Sequence, residues 1–174
     1  MFDALFTTTT EYKKLSHALS GKGACALFGL PASGRAQVYA ALCRQLDKPL
    51  CIVTPGEAEA TRFAADLNTL GIPAAVFPAR DYVLRPIEGT AREYEYRRLA
   101  VLGELVGGRL RAVAVPAEAL TQFTTPKEDF CANTRTLHAG DTLLRDDLLA
   151  ALFGAGYTRR AQVDGPGQFS VRGD

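Results

Sequence analysis

The chain has 174 residues and a formal net charge of +1, with 47% hydrophobic and 22% charged residues. This composition is typical of a protein folded around a core and excludes a disordered tail. The near-zero net charge argues against a strongly basic nucleic-acid coat. No apolar run approaches the length of a membrane span and the N-terminus lacks a signal peptide, so we expect a cytoplasmic protein without membrane contact.

Short apolar runs alternate with helical patterns up to about residue 130. The predicted elements are helix 11–19 with Thr10 as N-cap, strand 24–28, helix 35–46, strand 49–54, helix 56–71 ending at Gly71, strand 74–78, loop 79–90, helix 91–108, strand 110–116, helix 117–123 and a helical piece in 124–130. This order predicts an α/β fold: a parallel sheet flanked by helices, with ligands at the carboxyl ends of its strands.

The pattern changes near residue 131. We predict strand 135–143, helix 145–157, and strands 158–163 and 167–174 joined by the turn 164–167. The sequence therefore predicts a first α/β domain over 1–130. Residues 131–174 are predicted to be the N-terminal part of a small α+β domain, truncated within a strand.

The stretch "GLPASGRA", residues 29–36, follows the predicted strand 24–28 at the position of a phosphate-binding P-loop. A P-loop needs a lysine for the terminal phosphates and a hydroxyl residue for Mg²⁺. Here an arginine and an alanine occupy those two places, and Pro31 removes one backbone donor. The residues of this degenerate nucleotide loop are Gly29, Ser33, Gly34, Arg35 and Ala36.

Three interpretations of this loop remain open: a plain strand-to-helix turn, a turn that binds an anion at the helix N-terminus, and a working ATPase loop. The missing lysine, hydroxyl and Walker-B carboxylate favour the first interpretation. We predict no cofactor and no catalytic residue in this segment. The four cysteines lack Cys-x-x-Cys spacing and the two histidines are far apart, so we also predict no metal site. Cys25 and Cys51 lie in apolar runs that are typical of buried thiols.

The helix 91–108 carries arginines that have two interpretations. Arg92, Arg97 and Arg98 have the charge to contact DNA phosphates. Glutamates are interleaved with them, which favours a solvated helix face. A plain DNA-binding module is therefore a weaker alternative, and the near-zero net charge also speaks against it.

The second half of the chain carries a specific combination of residues. The motif is Gly-Tyr, a nearby Arg, and then Gly-x-Phe-x-x-Arg-Gly, formed here by Gly156, Tyr157, Arg159, Gly167, Phe169, Arg172 and Gly173. Upstream, "CIVTPGEAEATRFAADL", "FPARDYV", "YEYRRLAVLGEL" and "AVAVPAEALTQFTTP" follow in a fitting order. Together they resemble the excinuclease protein UvrB and the N-terminal UvrB-like module of bacterial transcription-repair coupling factors, over nearly the whole chain after residue 20.

Two departures favour the coupling-factor module. UvrB keeps an intact Gly-Lys-Thr loop and a long aromatic hairpin, whereas this chain has the degenerate loop and only "LRPIEGTAREYEY" in place of the hairpin. The resemblance implies a recruitment module without ATPase activity that docks the excinuclease protein UvrA. It also implies that the parent protein is an ATP-dependent DNA translocase, with ATP, Mg²⁺, DNA and RNA polymerase bound by downstream domains.

The resemblance places the docking surface on arginines of the second domain. Mapped onto this sequence, they are Arg159 and Arg172, with Phe169 beside them and Arg160 as an additional positive charge. UvrB often has a further arginine where this chain has Ser170. From the residues alone, the arginines also fit the solvent face of edge strands, and Phe169 also fits a core position. The alternative function is an active P-loop ATPase or DNA helicase segment of the UvrB type.

Overall fold

The computed structural model describes residues 7–21, 23–80 and 91–172, except the side chains of Ala91 and Arg92. The chain divides into two compact units, Met1–Phe123 and Thr124–Asp174. The helices are α1 Thr10–Ser20, α2 Ala32–Gln45, α3 Glu57–Thr69, α4 Ala91–Val106, α5 Ala117–Leu120, α6 Lys127–Ala132 and α7 Arg145–Gly154. The strands are β1 Leu50–Thr54, β2 Ala74–Val76, β3 Ala112–Pro116, β4 Thr158–Arg159 and β5 Gln168–Phe169.

Three parallel strands form the sheet of the first unit, in the order β1-β3-β2. Ala112 pairs with Leu50 on one side and with Ala74 on the other, which fixes the register. All five residues of β3 are buried and apolar, as expected for a central parallel strand covered on both faces. The predicted parallel sheet flanked by helices is therefore confirmed.

Alternate residues of β3 contact helices on opposite faces of the sheet. Ile52, Ala112 and Ala114 share a core cluster with residues of α2 and α3. Val113 and Val115 pack instead with Val101, Leu102 and Leu105 of α4. This alternation follows from the two-residue period of a strand, which presents successive side chains to opposite faces.

The first helix begins one residue before the position that the sequence predicts. Thr9, rather than the expected Thr10, is the N-cap, and its side-chain oxygen accepts a hydrogen bond from the Tyr12 backbone N–H at 3.2 Å. The prediction chose the wrong member of a run of threonines because every one of them has the chemistry of an N-cap.

Within the described residues, no helix is long and apolar enough to cross a bilayer.

The predicted strand 24–28 is wrong. These residues are exposed and outside the sheet, and Phe28 is 87% exposed. An apolar run becomes a strand only when a neighbouring strand offers hydrogen bonds, and the described sheet consists of β1, β3 and β2. Most of the predicted loop 79–90, residues 81–90, lies outside the described residues.

The predicted strand 135–143 is also wrong, because a turn interrupts it. The Asp141 N–H donates to the His138 carbonyl at 3.1 Å, and the Asp141 carboxylate accepts from the His138 N–H at 2.7 Å. An aspartate that bonds its own local backbone favours a turn over a strand. The predicted strands 158–163 and 167–174 shrink to β4 and β5, which pair in parallel and not as a hairpin.

Candidate functional site

The loop 29–36 leads directly into α2. Gly29 lies in the exposed turn before the helix, with φ of 81°, and Pro31 is the N-cap. The helix begins at Ala32, so Ser33, Gly34, Arg35 and Ala36 are helical residues. The Arg35 N–H is already bonded to the Pro31 carbonyl at 3.0 Å. Only the first N–H groups of α2 remain for an anion, fewer than a P-loop cradle offers.

Arg35 and Ala36 occupy the positions of the P-loop lysine and hydroxyl residue, and neither side chain is placed to bind a nucleotide. Arg35 is exposed, and its Nε approaches the Leu30 carbonyl at 3.4 Å. Ala36 is only 3% exposed, so its methyl group packs inside the protein. A Cβ on Gly34 would lie 3.3 Å from the Pro31 ring, so this glycine is explained by packing within the loop.

A depression of about 410 Å³ adjoins the loop. Its lining is mostly apolar, with Arg35 as the single charged residue among Leu27, Phe28, Gly29, Leu30 and Tyr39. ATP with Mg²⁺ needs several donors for its phosphates and a ligand for the metal. The residues present do not fit that group. Among the described residues, no cluster of His, Cys, Asp and Glu could hold a metal ion either.

In the second unit, a tight helix end directs the chain into β4. The Tyr157 N–H bonds the Leu152 carbonyl at 2.9 Å, and the Gly156 N–H bonds the Phe153 carbonyl at 3.0 Å. These two bonds form a Schellman motif, which requires positive φ at the residue after the C-cap. Gly156 supplies it with φ of 84°. The Gly-Tyr pair of the sequence motif therefore ends α7 and fixes where β4, the strand that contains Arg159, begins.

The strands β4 and β5 bring Arg159 and Phe169 into register as partners. The Thr158 N–H donates to the Gly167 carbonyl, and the Arg160 N–H donates to the Phe169 carbonyl, both at 2.9 Å. Arg159 and Arg160 are exposed, as is Arg172, three residues beyond β5. In the described parts of the chain, no carboxylate forms an ion pair with these three guanidinium groups.

Phe169 lies inside the second unit and not on its surface. It is 8% exposed, and its ring meets that of Phe153 edge to face, with centroids 5.1 Å apart. This geometry anchors β5 to α7 and adds about 1 kcal/mol beyond the buried area. Gly173, the last member of the motif, lies outside the described residues.

Two side chains that sequence reasoning missed hold the loop 160–167 between the strands. The Gln168 side-chain oxygen accepts the Asp164 N–H at 2.9 Å, and the Ser170 hydroxyl donates to the Ala161 carbonyl at 3.0 Å. Ser170, at the position where the resemblance leads us to expect an arginine, therefore fastens the loop that begins with Arg160. Neither contact had a signal in the sequence.

Arg98 is not on a solvated helix face. It is 7% exposed and donates from Nη1 to the Pro78 carbonyl at 2.9 Å and to Gln122 Oε1 at 3.0 Å. Its guanidinium carbon also lies 4.1 Å from the ring centroid of Phe77. A signal existed: Arg98 stands three and four residues before Val101 and Leu102, on the face of α4 that packs on β3.

The cysteines differ from the expectation for buried thiols. Cys25 and Cys51 are exposed, whereas Cys43 of α2 is buried. Burial raises the pKa of the Cys43 thiol, although the nearby Arg111 and Arg44 oppose the shift. The prediction was wrong because it inferred burial from apolar neighbours in the sequence. In the structure, Cys25 lies in the exposed run 24–28, and Cys51 lies on the uncovered face of β1.

Comparison with known proteins finds a family model that matches the part of the chain that carries the motif. Residues 136–174 match the family model described as the UvrB interaction domain. The chain is 28% identical to the transcription-repair-coupling factor of Bacillus subtilis (strain 168), over 84% of this chain and 13% of that protein. It is 25% identical to the transcription-repair-coupling factor of Staphylococcus aureus (strain USA300), over 83% of this chain and 13% of that protein.

A second kind of relative is the UvrABC system protein B of Thermobifida fusca (strain YX). It is 25% identical over 93% of this chain and 25% of that protein. The predicted resemblance to the coupling factors and to UvrB is confirmed. The chain spans between an eighth and a quarter of the length of these relatives.

Proposed function

We propose that this chain is a non-catalytic recruitment module of a transcription-repair coupling factor, which docks the excinuclease protein UvrA in transcription-coupled nucleotide excision repair. The observation that carries the proposal is the exposure of Arg159, Arg160 and Arg172 within the residues that match the UvrB interaction domain. Exposed guanidinium groups suit a partner that offers carboxylates, because they pair with them bidentately.

The second unit supports this role by holding the backbone that carries the arginines. The β4–β5 pairing holds Arg159 and Arg160, and the Ser170 contact holds the adjacent Ala161. The Phe153–Phe169 ring pair anchors the strand partner of Arg159, and the Gln168 contact holds Asp164 farther along the same loop. A surface whose backbone is already ordered loses less conformational entropy on binding. We assign direct contact to the arginines and support of the strand to Phe169.

Catalysis is assigned to other parts of the parent protein. We propose that ATP and Mg²⁺ bind its downstream motor, an ATP-dependent DNA translocase, and that DNA and RNA polymerase also bind there. The parent is proposed to be cytoplasmic. In this segment, the buried Ala36 and the apolar depression beside Arg35 speak against nucleotide binding.

The alternative function is an active P-loop ATPase or helicase segment of the UvrB type. Calorimetric titration of ATP·Mg²⁺ into the chain separates the two functions. The recruitment role predicts no saturable heat at millimolar nucleotide. Micromolar binding would mean that Arg35 replaces the P-loop lysine, and the recruitment role would be abandoned for an ATP-responsive one.

Charge reversal tests the docking surface. Arg172→Glu and Arg159→Glu should each weaken binding of UvrA by about 3 kcal/mol, roughly a hundredfold in Kd, as for arginine hot spots. Arg145→Glu is the matched control, because it makes the same charge change at an exposed position in the first turn of α7. Affinities are measured by biolayer interferometry with immobilised UvrA.

The pattern across the three variants decides the result. Loss of affinity in Arg159→Glu and Arg172→Glu with an unchanged Arg145→Glu supports the assigned surface. Equal losses in all three variants would indicate long-range charge attraction instead. Unchanged affinity in the first two would remove these arginines from the interface.

A further inference from the structure

The outer edge of β4, the side away from β5, is exposed, and in the part of the chain that the structure describes no further strand pairs with it. We propose that an extended acidic segment of UvrA pairs with this edge as an added strand and places neighbouring carboxylates on Arg159 and Arg160. This inference rests on the proposed recruitment function and adds to it the way in which the partner binds.

The register of the strand pair decides which backbone groups of β4 are available to a partner. The Thr158 N–H donates to the Gly167 carbonyl at 2.9 Å, and the Arg160 N–H makes the equivalent bond to the Phe169 carbonyl. Successive residues of a parallel strand direct their backbone groups to opposite sides. The N–H and C=O groups of Arg159 therefore point away from β5, as a donor and an acceptor for a further strand.

The side chains of Arg159 and Arg160 lie on opposite faces of the strand pair. Arg159 is the register partner of Phe169, so these two side chains share a face. Phe169 packs on Phe153 of α7, which identifies that face as the one toward the helix. Arg160 follows directly and lies on the other face, because side chains alternate along a strand. A flat partner surface laid on one face therefore meets only one of the two guanidinium groups.

An added strand reaches both guanidinium groups. Its own side chains alternate between the two faces, so two adjacent residues stand opposite Arg159 and Arg160. Neighbouring carboxylates then form one charge-assisted pair on each face, and main-chain hydrogen bonds to Arg159 add affinity. Both arginines are exposed, and no carboxylate within the described residues forms an ion pair with either of them.

The charge of the edge selects the kind of partner. Residues 157–163 contain two arginines and no carboxylate. A second copy of this chain would bring like charges together across the new strand pair, which is destabilising. An acidic segment has the complementary charge. Charged residues on an edge strand also have an ordinary structural role, which is to prevent aggregation, and the test must separate this role from docking.

The test blocks the outward N–H of Arg159 and leaves its side chain unchanged. Residues 131–174 are synthesised with a methyl group on the Arg159 backbone nitrogen and joined to residues 1–130 by native chemical ligation at Cys131. The controls are the unmethylated ligated chain and a chain methylated at the backbone nitrogen of Thr142, which is exposed and outside the helices and strands. Binding of UvrA is measured by biolayer interferometry, and circular dichroism checks the fold of each chain.

We expect methylation at Arg159 to weaken UvrA binding about tenfold, because it removes a main-chain hydrogen bond and obstructs the edge. Methylation at Thr142 should change the affinity by less than about twofold, as for other surface changes. Arg159→Gln and Arg160→Gln should each weaken binding about tenfold, and their effects should multiply in the double variant, because each guanidinium meets a different carboxylate.

The other outcomes overturn the proposal and separate it from the recruitment function. A folded, unmethylated chain that does not bind UvrA would remove both. Equal affinity of the unmethylated chain and the chain methylated at Arg159 would leave recruitment in place and show that the edge of β4 is not used. An equal loss in the chain methylated at Thr142 would attribute the effect to the modification itself. Unchanged affinity in Arg160→Gln would mean that the partner contacts one face only.

Discussion

Replacing Arg98 by methionine should destabilise the first unit strongly, because the guanidinium joins segments that are distant in sequence. Its hydrogen bonds to Pro78 and Gln122 are 2.9 and 3.0 Å long, and a third to the Phe123 carbonyl is 3.4 Å. Hydrogen bonds to charged groups contribute about 1.5–3 kcal/mol each, and the contact with Phe77 adds about 1 kcal/mol. Burying the charge costs several kcal/mol in return.

The net loss expected for Arg98→Met is therefore about 2–4 kcal/mol, because a methionine keeps the volume but leaves the Pro78 carbonyl without this donor. Arg97→Met is the matched control on the same helix. The Arg97 side chain is 61% exposed and pairs with Glu93 at 3.7 Å. Such surface pairs contribute at most about 1 kcal/mol, so the control should lose less than that.

Urea unfolding followed by circular dichroism at 222 nm gives both free energies of unfolding. Free energies of unfolding for Arg98→Met and Arg97→Met that agree within about 0.5 kcal/mol, the usual scatter of surface substitutions, would contradict a stabilising role for Arg98. That result would mean that the buried guanidinium adds nothing beyond its own desolvation cost.

Two further predictions follow from the pKa directions. The hydrogen bond from Arg109 lowers the pKa of the Glu104 carboxyl, so the stability from this pair is present above the unfolded pKa of glutamate and is lost as pH falls through the lowered folded pKa. Arg109→Gln should then lower the Tm at pH 7 and not in strong acid; an equal Tm difference at both pH values would contradict this. Burial raises the pKa of the Cys43 thiol, so iodoacetamide at pH 8 should modify exposed Cys25 and Cys131 first, and Cys43 only on unfolding. Mass spectrometry showing equal rates at all three sites would contradict the buried position.

Local signals predicted much of the first unit. The helices α2, α3 and α4 and the strands β1, β2 and β3 all lie at positions that the sequence predicts, because periodicity and glycine stops are properties of short windows. The wrong strand 24–28 has the same local pattern as β1. The difference is a hydrogen-bonding neighbour, since β1 pairs with β3 along five residues, and no local window contains that neighbour.

The candidate site, like the fold, could be predicted from the sequence only in part. The sequence itself shows that the loop 29–36 lacks the lysine and the hydroxyl residue of a P-loop. The start of α2 at Ala32 and the burial of Ala36 depend on the tertiary structure and could not be predicted from it. Arg98 has partners 20 and 24 residues away, so its burial depends on how the chain returns along β2 and β3. The docking roles of Arg159, Arg160 and Arg172 remain predictions.

The most direct test of the recruitment function is a calorimetric titration of purified UvrA into this chain, with the fold of the chain checked by circular dichroism beforehand. The recruitment function predicts saturable heat with one site per chain and no requirement for added ATP. A chain that is folded and yet produces no heat at tens of micromolar UvrA would contradict it.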